Sequence, residues 1–146
     1  AKIGNNLLVS SGADTTLKFW NMDTQECICT IEKIHTGWVY ALLYSAKEQV
    51  LITASSDTTS VKIWDLKILS SNNVITGIMC SEKYGIQNPF KQSCFSMTFL
   101  NGEQDGTRVV CGDYGGNLFV IDIQLGACIW QAKDVHPIAV WHFDSV

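Results

Sequence analysis

Apolar residues fall along this chain in short runs with polar breaks between them. The runs read as strands at 5–11, 17–21, 27–31, 38–44, 49–55, 60–66, 74–80, 94–100, 108–111, 118–123, 128–132 and 138–143. Within several runs alternate residues share a face. Cys29 and Ile31 stand on one side of their strand and Ile28 on the other. No helical period of useful length appears. Pro89 and Pro137, the two prolines, fall between runs, where a missing N–H costs no ladder bond. Asp14, Ser70 to Asn73 and the glycine-rich 112–116 segment mark turns, the last with positive φ expected at glycine. The 81–92 stretch, SEKYGIQNPFKQ, reads as an extra loop.

The runs recur. DTTLKFW, ending at Trp20, matches DTTSVKIW, ending at Trp64, 44 residues on and with one residue inserted. A third copy, GGNLFVID over 115–122, puts Ile121 where the others have Trp. His35 and His136 mark equivalent starts two units apart. The stretch 35–65 carries a set of side chains whose hydrogen-bonding needs complement one another. The Trp64 indole only donates, the Thr53 hydroxyl accepts and donates, and neutral His35 accepts and passes its second N–H to the Asp57 carboxylate. Such a set can be buried without an orphaned group.

A repeat of about 40–45 residues, four strands per unit and a His…Trp-Asp signature resembles the WD-repeat (beta-transducin-like) propeller family. The resemblance covers essentially the whole chain and implies an all-β fold: a β-propeller segment of about three four-stranded antiparallel blades. On the family's a-to-d strand scheme the chain reads b-c-d, a-b-c-d, a-b-c-d, a. That implies a partial blade at 1–34, a blade at 35–81, an insertion at 81–92, a blade at 93–133 and the first strand of a further blade at 136–146. His35, Thr53, Asp57 and Trp64 match the family's structural network in the middle unit, and Ser10, Asp14 and Trp20 match part of it in the first. In the third unit Lys91 or Gln92 stands near the His position, Gly115 at the Asp and Ile121 at the Trp. This unit is expected to be held by packing alone. A closed propeller has about four to eight blades, so the chain is expected to belong to a longer propeller. In a second arrangement, two copies close a six-bladed ring by strand exchange.

Composition narrows the function classes. The apolar fraction is 47% and the charged fraction 16%, which suits strands buried on both faces. Net charge is −4 with no run of Lys or Arg, so no footprint for nucleic acid or an acidic membrane is visible. No apolar stretch is long enough for a spanning helix. The six cysteines lie in or beside apolar runs and no Asn-x-Ser/Thr acceptor occurs, which points to free thiols in an intracellular compartment, cytoplasmic or nuclear.

The alternative readings are a nucleic-acid-binding propeller, against which the acidic balance speaks, and a hydrolase, since His35, Asp57 and Thr53 have the residue types of an acyl-transfer triad; but a nucleophile must be exposed, and here the Trp64 donor occupies the hydroxyl. Cys27 and Cys29 near His35 lack zinc spacing and read as packed thiols. No catalytic residue, cofactor or metal ligand is assigned. The resemblance puts d–a and b–c loops on one face that commonly binds partners. Trp38, Tyr40, Tyr114 and Trp141, with Tyr84 and Phe90 of the insertion, form the candidate partner-binding rim. The function expected is a non-enzymatic protein–protein interaction scaffold within a larger complex, its partners being other proteins or peptides and the remaining blades. Trp20, Trp64 and Trp130 are expected in the core, His142 as a satisfied structural histidine, and the charges at 47–48 and 103–105 on the opposite face.

Overall fold

The computed structural model describes residues 1–102 and 106–143. Alternating side chains build three four-stranded antiparallel sheets in chain order. The first holds β1 (Lys2–Ile3), β2 (Leu7–Ser11), β3 (Leu17–Asn21) and β4 (Glu26–Ile31). The second holds β5 (Val39–Ser45), β6 (Val50–Ser55), β7 (Val61–Ser71) and β8 (Val74–Ile86). The third holds β9 (Cys94–Phe99), β10 (Arg108–Asp113), β11 (Leu118–Asp122) and β12 (Ala127–Ala132). These are three blades of a partial, open propeller. Corresponding pairs recur in register: Leu8 faces Trp20, Leu51 faces Trp64 and Val109 faces Ile121.

Two apolar layers lie between the blades. Leu7, Val9, Leu17 and Phe19 of the first blade pack with Leu51, Trp64 and Leu66 of the second. Val50, Ile52, Val61 and Ile63 on the other face of the second blade pack with Val109, Cys111, Phe119 and Ile121 of the third. The central blade is thus buried on both faces, and every residue of β6 is buried. Polar stitches set the sectors. Ile34 N–H donates to Thr15 C=O at 3.0 Å, and the Ser45 hydroxyl donates to Gly106 C=O at 2.6 Å. Gln124 Nε2 donates to Glu48 Oε1 at 3.0 Å, so Glu48 in the 46–49 turn serves as a tie to the third blade. The charged turn expected at 103–105 lies outside the described residues.

Several expectations need correction. The first blade is not b-c-d alone, because Lys2 and Ile3 pair with Leu8 and Leu7 as a short inner strand. The 81–92 insertion is not all loop. Residues 81–86 continue β8, which pairs with β7 from Val61↔Ile86 to Ser71↔Val74. The hairpin closes on Asn72 and Asn73 alone, at φ 51° and 63°, the left-handed pair that matches strand twist. Its inward face, with Ile68, Ile75, Ile78 and Cys80, covers the layer between the first two blades. Residues 138–143 form no strand and join none of the three sheets among the described residues. This segment crosses the third blade: Val140 N–H donates to Asp113 C=O at 3.0 Å, and the Ser96 hydroxyl donates to Val140 C=O at 2.8 Å.

Trp130 is 52% exposed rather than core. It stands in the cross-strand row Thr98–Val110–Val120–Trp130 on the open side of the third blade. Cys27 is exposed because a bulge at Phe19/Trp20 breaks the alternation of β4, and His142 is exposed as well.

Candidate functional site

In the central blade the His35–Trp64 set forms one continuous chain. Trp64 Nε1–H donates to Thr53 Oγ1 at 3.0 Å, and Thr53 Oγ1 lies 2.7 Å from His35 Nε2. His35 Nδ1 lies 2.7 Å from Asp57 Oδ2, which also accepts from Thr36 N–H at 3.0 Å. Burial pushes the His35 pKa below its ordinary value, against the opposing pull of Asp57. The ring is therefore neutral near pH 7, accepting from Thr53 and donating to Asp57. In the first blade Trp20 Nε1–H donates to Ser10 Oγ at 2.9 Å. Asp14 is exposed and caps its own turn through Thr16 N–H and the Thr16 hydroxyl.

The third blade is not held by packing alone. The Asp113 carboxylate is fully buried. Its Oδ1 accepts from Asn117 N–H at 2.9 Å and from Asn117 Nδ2 at 3.0 Å. Its Oδ2 accepts from Asn88 Nδ2 at 2.9 Å. Asn117 Oδ1 in turn accepts from Asp134 N–H at 2.9 Å, tying in the segment that leaves the blade. Asn88 and Asn117 are buried beside it. A Cβ at Gly116, where φ is +80°, would run into His136 C=O and lie 2.7 Å from Ile138 C=O. The crossing segment thus requires glycine there.

The catalytic reading gains no geometric support. Thr53 has no exposed surface and His35 is buried, so the hydroxyl cannot meet a substrate. No group of three or more His, Cys, Asp or Glu side chains suited to a metal occurs among the described residues. All six cysteines are free. Burial pushes the Cys80 thiol up to about 12 and Cys111 well above its ordinary value, which keeps both protonated and unreactive.

The rim aromatics do converge. Trp38, Tyr40, Tyr114 and Trp141 are 59%, 40%, 60% and 66% exposed. Three of them meet on half-buried Phe95 of β9. Trp141 stacks on it at 4.7 Å with 8° between planes, and Tyr40 and Tyr114 approach edge-on at 4.5 Å and 5.6 Å. Trp38 continues the row, edge-on to Tyr40 at 6.4 Å. The result is a fixed aromatic platform bridging the second and third blades. Two expected members are elsewhere. Tyr84 lies in β8 opposite Ile63 and is packed against the layer between those blades, with its ring where a Gly126 Cβ would sit. Phe90 is half-buried in the 87–93 loop and makes none of these ring contacts. In the sequence Phe95 is one ordinary apolar residue of an alternating strand, with nothing to mark it as the centre of the platform.

Comparison with known proteins agrees with this architecture. The family model described as WD domain, G-beta repeat matches residues 25–65. The nuclear distribution protein PAC1 of Arthroderma otae is 32% identical over 76 residues, which are 52% of this chain and 16% of that protein. PAC1 of Arthroderma benhamiae is 30% identical over the same length. The chain therefore matches only a small part of these curated relatives. Among solved structures, the beta-propeller domain of Cps50 (Swd1) from Myceliophteria thermophila superposes with TM-score 0.71 at 18% identity, over 87% of this chain and 37% of that one. The computationally designed Ika4 protein superposes with TM-score 0.69 at 24% identity, over 98% of this chain and 77% of that one.

Proposed function

This is a WD-repeat chain of three propeller blades, and from that premise we propose that it works as a non-enzymatic scaffold, presenting the Phe95-centred platform to a protein or peptide partner. The observation that carries the reading is the convergence of three exposed rings, Tyr40, Tyr114 and Trp141, on Phe95. Large rings already held by one another lose little freedom on binding, and Trp and Tyr dominate interface hot spots. The exposed sides of the first and third blades, with Leu8 and with Trp130, suit further blades. These belong either to a longer polypeptide or to a second copy in a strand-exchange dimer. The free thiols and the nuclear distribution relatives support an intracellular setting. The buried Thr53 and the net charge of −4 weigh against the hydrolase and nucleic-acid readings.

A photo-crosslinking residue placed at Trp38 or at Trp141 tests the platform. Proteins should be captured there and not from the same residue at Leu125, which is exposed in the turn between β11 and β12. Capture should be lost in a Tyr40→Ser/Tyr114→Ser variant of unchanged melting temperature. Equal capture from both sites would reject the platform. Labelling of the intact chain by a fluorophosphonate probe would reject the non-enzymatic reading.

A further inference from the structure

A strand edge with unpaired backbone groups invites a strand from elsewhere, and this molecule carries both halves of such a pairing. The first half is the inner edge of β2. One end of that edge is covered: Lys2 and Ile3 of β1 pair with Leu8 and Leu7, and Val9 N–H donates to Ala1 C=O at 2.7 Å. Ser10, Ser11 and the following Gly12 have no inner strand beside them among the described residues. A cleft of about 280 Å³ lies along this bare stretch, with Ser10, Ser11, Gly12 and Asp14 in its lining. In the second blade the matching residues Thr53, Ala54 and Ser55 are covered by Leu42, Ala41 and Val39 of β5.

The second half is the segment 140–143. Val140 N–H donates to Asp113 C=O at 3.0 Å as Val39 N–H donates to Gly12 C=O at 3.3 Å, so Val140 corresponds to Val39. Residues 140–143 then correspond to 39–42, the four that cover the matching stretch in the second blade. Trp141 corresponds to Tyr40, the residue bulged out of the β5–β6 ladder, and both rings reach Phe95. The segment itself joins no sheet, and His142 is exposed. The second blade stands between the two halves in one copy, which leaves them to meet between copies.

The faces behind the two halves match in the same frame. Within the chain, Leu51 and Trp64 of the second blade pack with Val9, Leu17 and Phe19 of the first. The residues corresponding to Leu51 and Trp64 are Leu8 and Trp20, on the open side of the first blade. Those corresponding to Val9, Leu17 and Phe19 are Val110, Leu118 and Val120, on the open side of the third. Joining the two sides repeats an interface that the chain already makes between its own first and second blades.

We propose that two copies of this chain join head to tail into a six-bladed ring, with 140–143 of each completing the inner strand of the other's first blade beside Lys2 and Ile3. Two identical junctions related by a twofold axis leave no blade edge open, and six blades lie within the range that closes. The inference rests on the reading of the open sides as blade surfaces. It leaves the aromatic platform intact, since Trp141 keeps its stack on Phe95. The junction also supplies what Ser10 lacks. Its hydroxyl accepts from the Trp20 indole and donates to nothing among the described residues. In the second blade Thr53 donates on to His35, four residues before Val39, and the exposed His136 stands four before Val140.

Sedimentation equilibrium of the intact chain should give the mass of two copies, twice 16.2 kDa. The double variant His142→Pro/Phe143→Pro removes two N–H groups that bond to nothing within one copy, so it should halve the mass and leave the circular dichroism unchanged. Leu8→Asp, on the opposite half of the junction, should do the same. The register has its own readout. Ala54 faces Ala41, so Ser11 should face His142 across the junction. Mixing a Ser11→Cys chain with a His142→Cys chain under mild oxidation should give a disulfide between those two positions, mapped by peptide mass. A single-copy mass overturns the proposal and leaves the open sides to further blades of a longer polypeptide. A three-copy mass, or a two-copy mass that survives both variants, overturns it as well. The platform is judged separately: failed capture at Trp38 in a chain of two-copy mass removes the platform alone, and successful capture by a chain of single-copy mass removes the ring alone.

Discussion

The second and third blades solve one problem with different residues. Each must fasten the loop that enters it to the turn between its second and third strands. In the second blade the fastener is a histidine, and the anion is Asp57. In the third an asparagine enters instead, and the anion sits two positions earlier in the frame. Register makes this plain. Thr53 corresponds to Cys111, Trp64 to Ile121 and Ser55 to Asp113, because Leu51↔Trp64 and Val109↔Ile121 are matching pairs. Where Ser55 Oγ accepts the Asp57 N–H, Asp113 accepts the Asn117 N–H. The indole donor and its hydroxyl acceptor have been replaced together, by Ile121 and Cys111, so neither is left alone in an apolar layer. What is retained is satisfaction of buried polar groups, and the residue types that achieve it are exchangeable.

The sharpest way to break this comparison is Asp113→Ala. It strands Asn117 N–H and the Asn88 and Asn117 amides in a buried turn, at a cost of about 3 kcal/mol in denaturant unfolding. A loss no larger than that of an exposed Asp14→Ala control would show the third blade is held by packing after all. Thr53→Val should cost about 2 kcal/mol by unpairing the Trp64 N–H and His35. A double variant with Trp64→Phe should lose less than the sum of the two single changes, since both act on one chain. Ile121→Trp should cost roughly 1.5 kcal/mol by overpacking, and adding Cys111→Thr should restore about 1 kcal/mol if the frames are equivalent.

The smallest effect is on pH. The folded-state pKa of His35 lies below its unfolded value of about 6.5, so the unfolded chain binds the extra proton first. Stability from this group is complete above that pH and declines as pH falls through it toward the folded value. His35→Gln should flatten the slope between pH 7.5 and 5.5. A slope unchanged by that substitution would place its origin elsewhere.

The repeat frame and the central fastener were legible because side-chain chemistry repeats at a fixed spacing. An indole, a hydroxyl, an imidazole and a carboxylate also complement one another in only a few ways. The third fastener was not legible. Asn88, Asp113 and Asn117 are ordinary polar residues in or beside turns, and a sequence separation of 25 between Asn88 and Asp113 hides their contact. Phe95 offered no signal either, since its role comes from what converges on it across two blades. The 81–86 strand carries no apolar pattern because Ser81, Glu82 and Lys83 are exposed on the outermost strand, where polar residues need no buried partner. The Lys62–Glu82 and Lys83–Asp65 ion pairs, at 3.1 Å and 3.4 Å, dress that exposed ladder.

The hairpin of β7 and β8 also bears on the order in which the chain folds. Its two arms are joined by two asparagines already suited to the turn, so its ladder closes with almost no loop to restrict. Hairpins of this kind form in microseconds, far ahead of pairings that span a whole repeat. Once formed, it presents Ile68, Ile75 and Ile78 as a ready apolar surface on which the strands of the first blade can collect. The longest ladder in the molecule thus serves as a local template during folding, and mutations at Asn72 or Asn73 should slow refolding more than they speed unfolding.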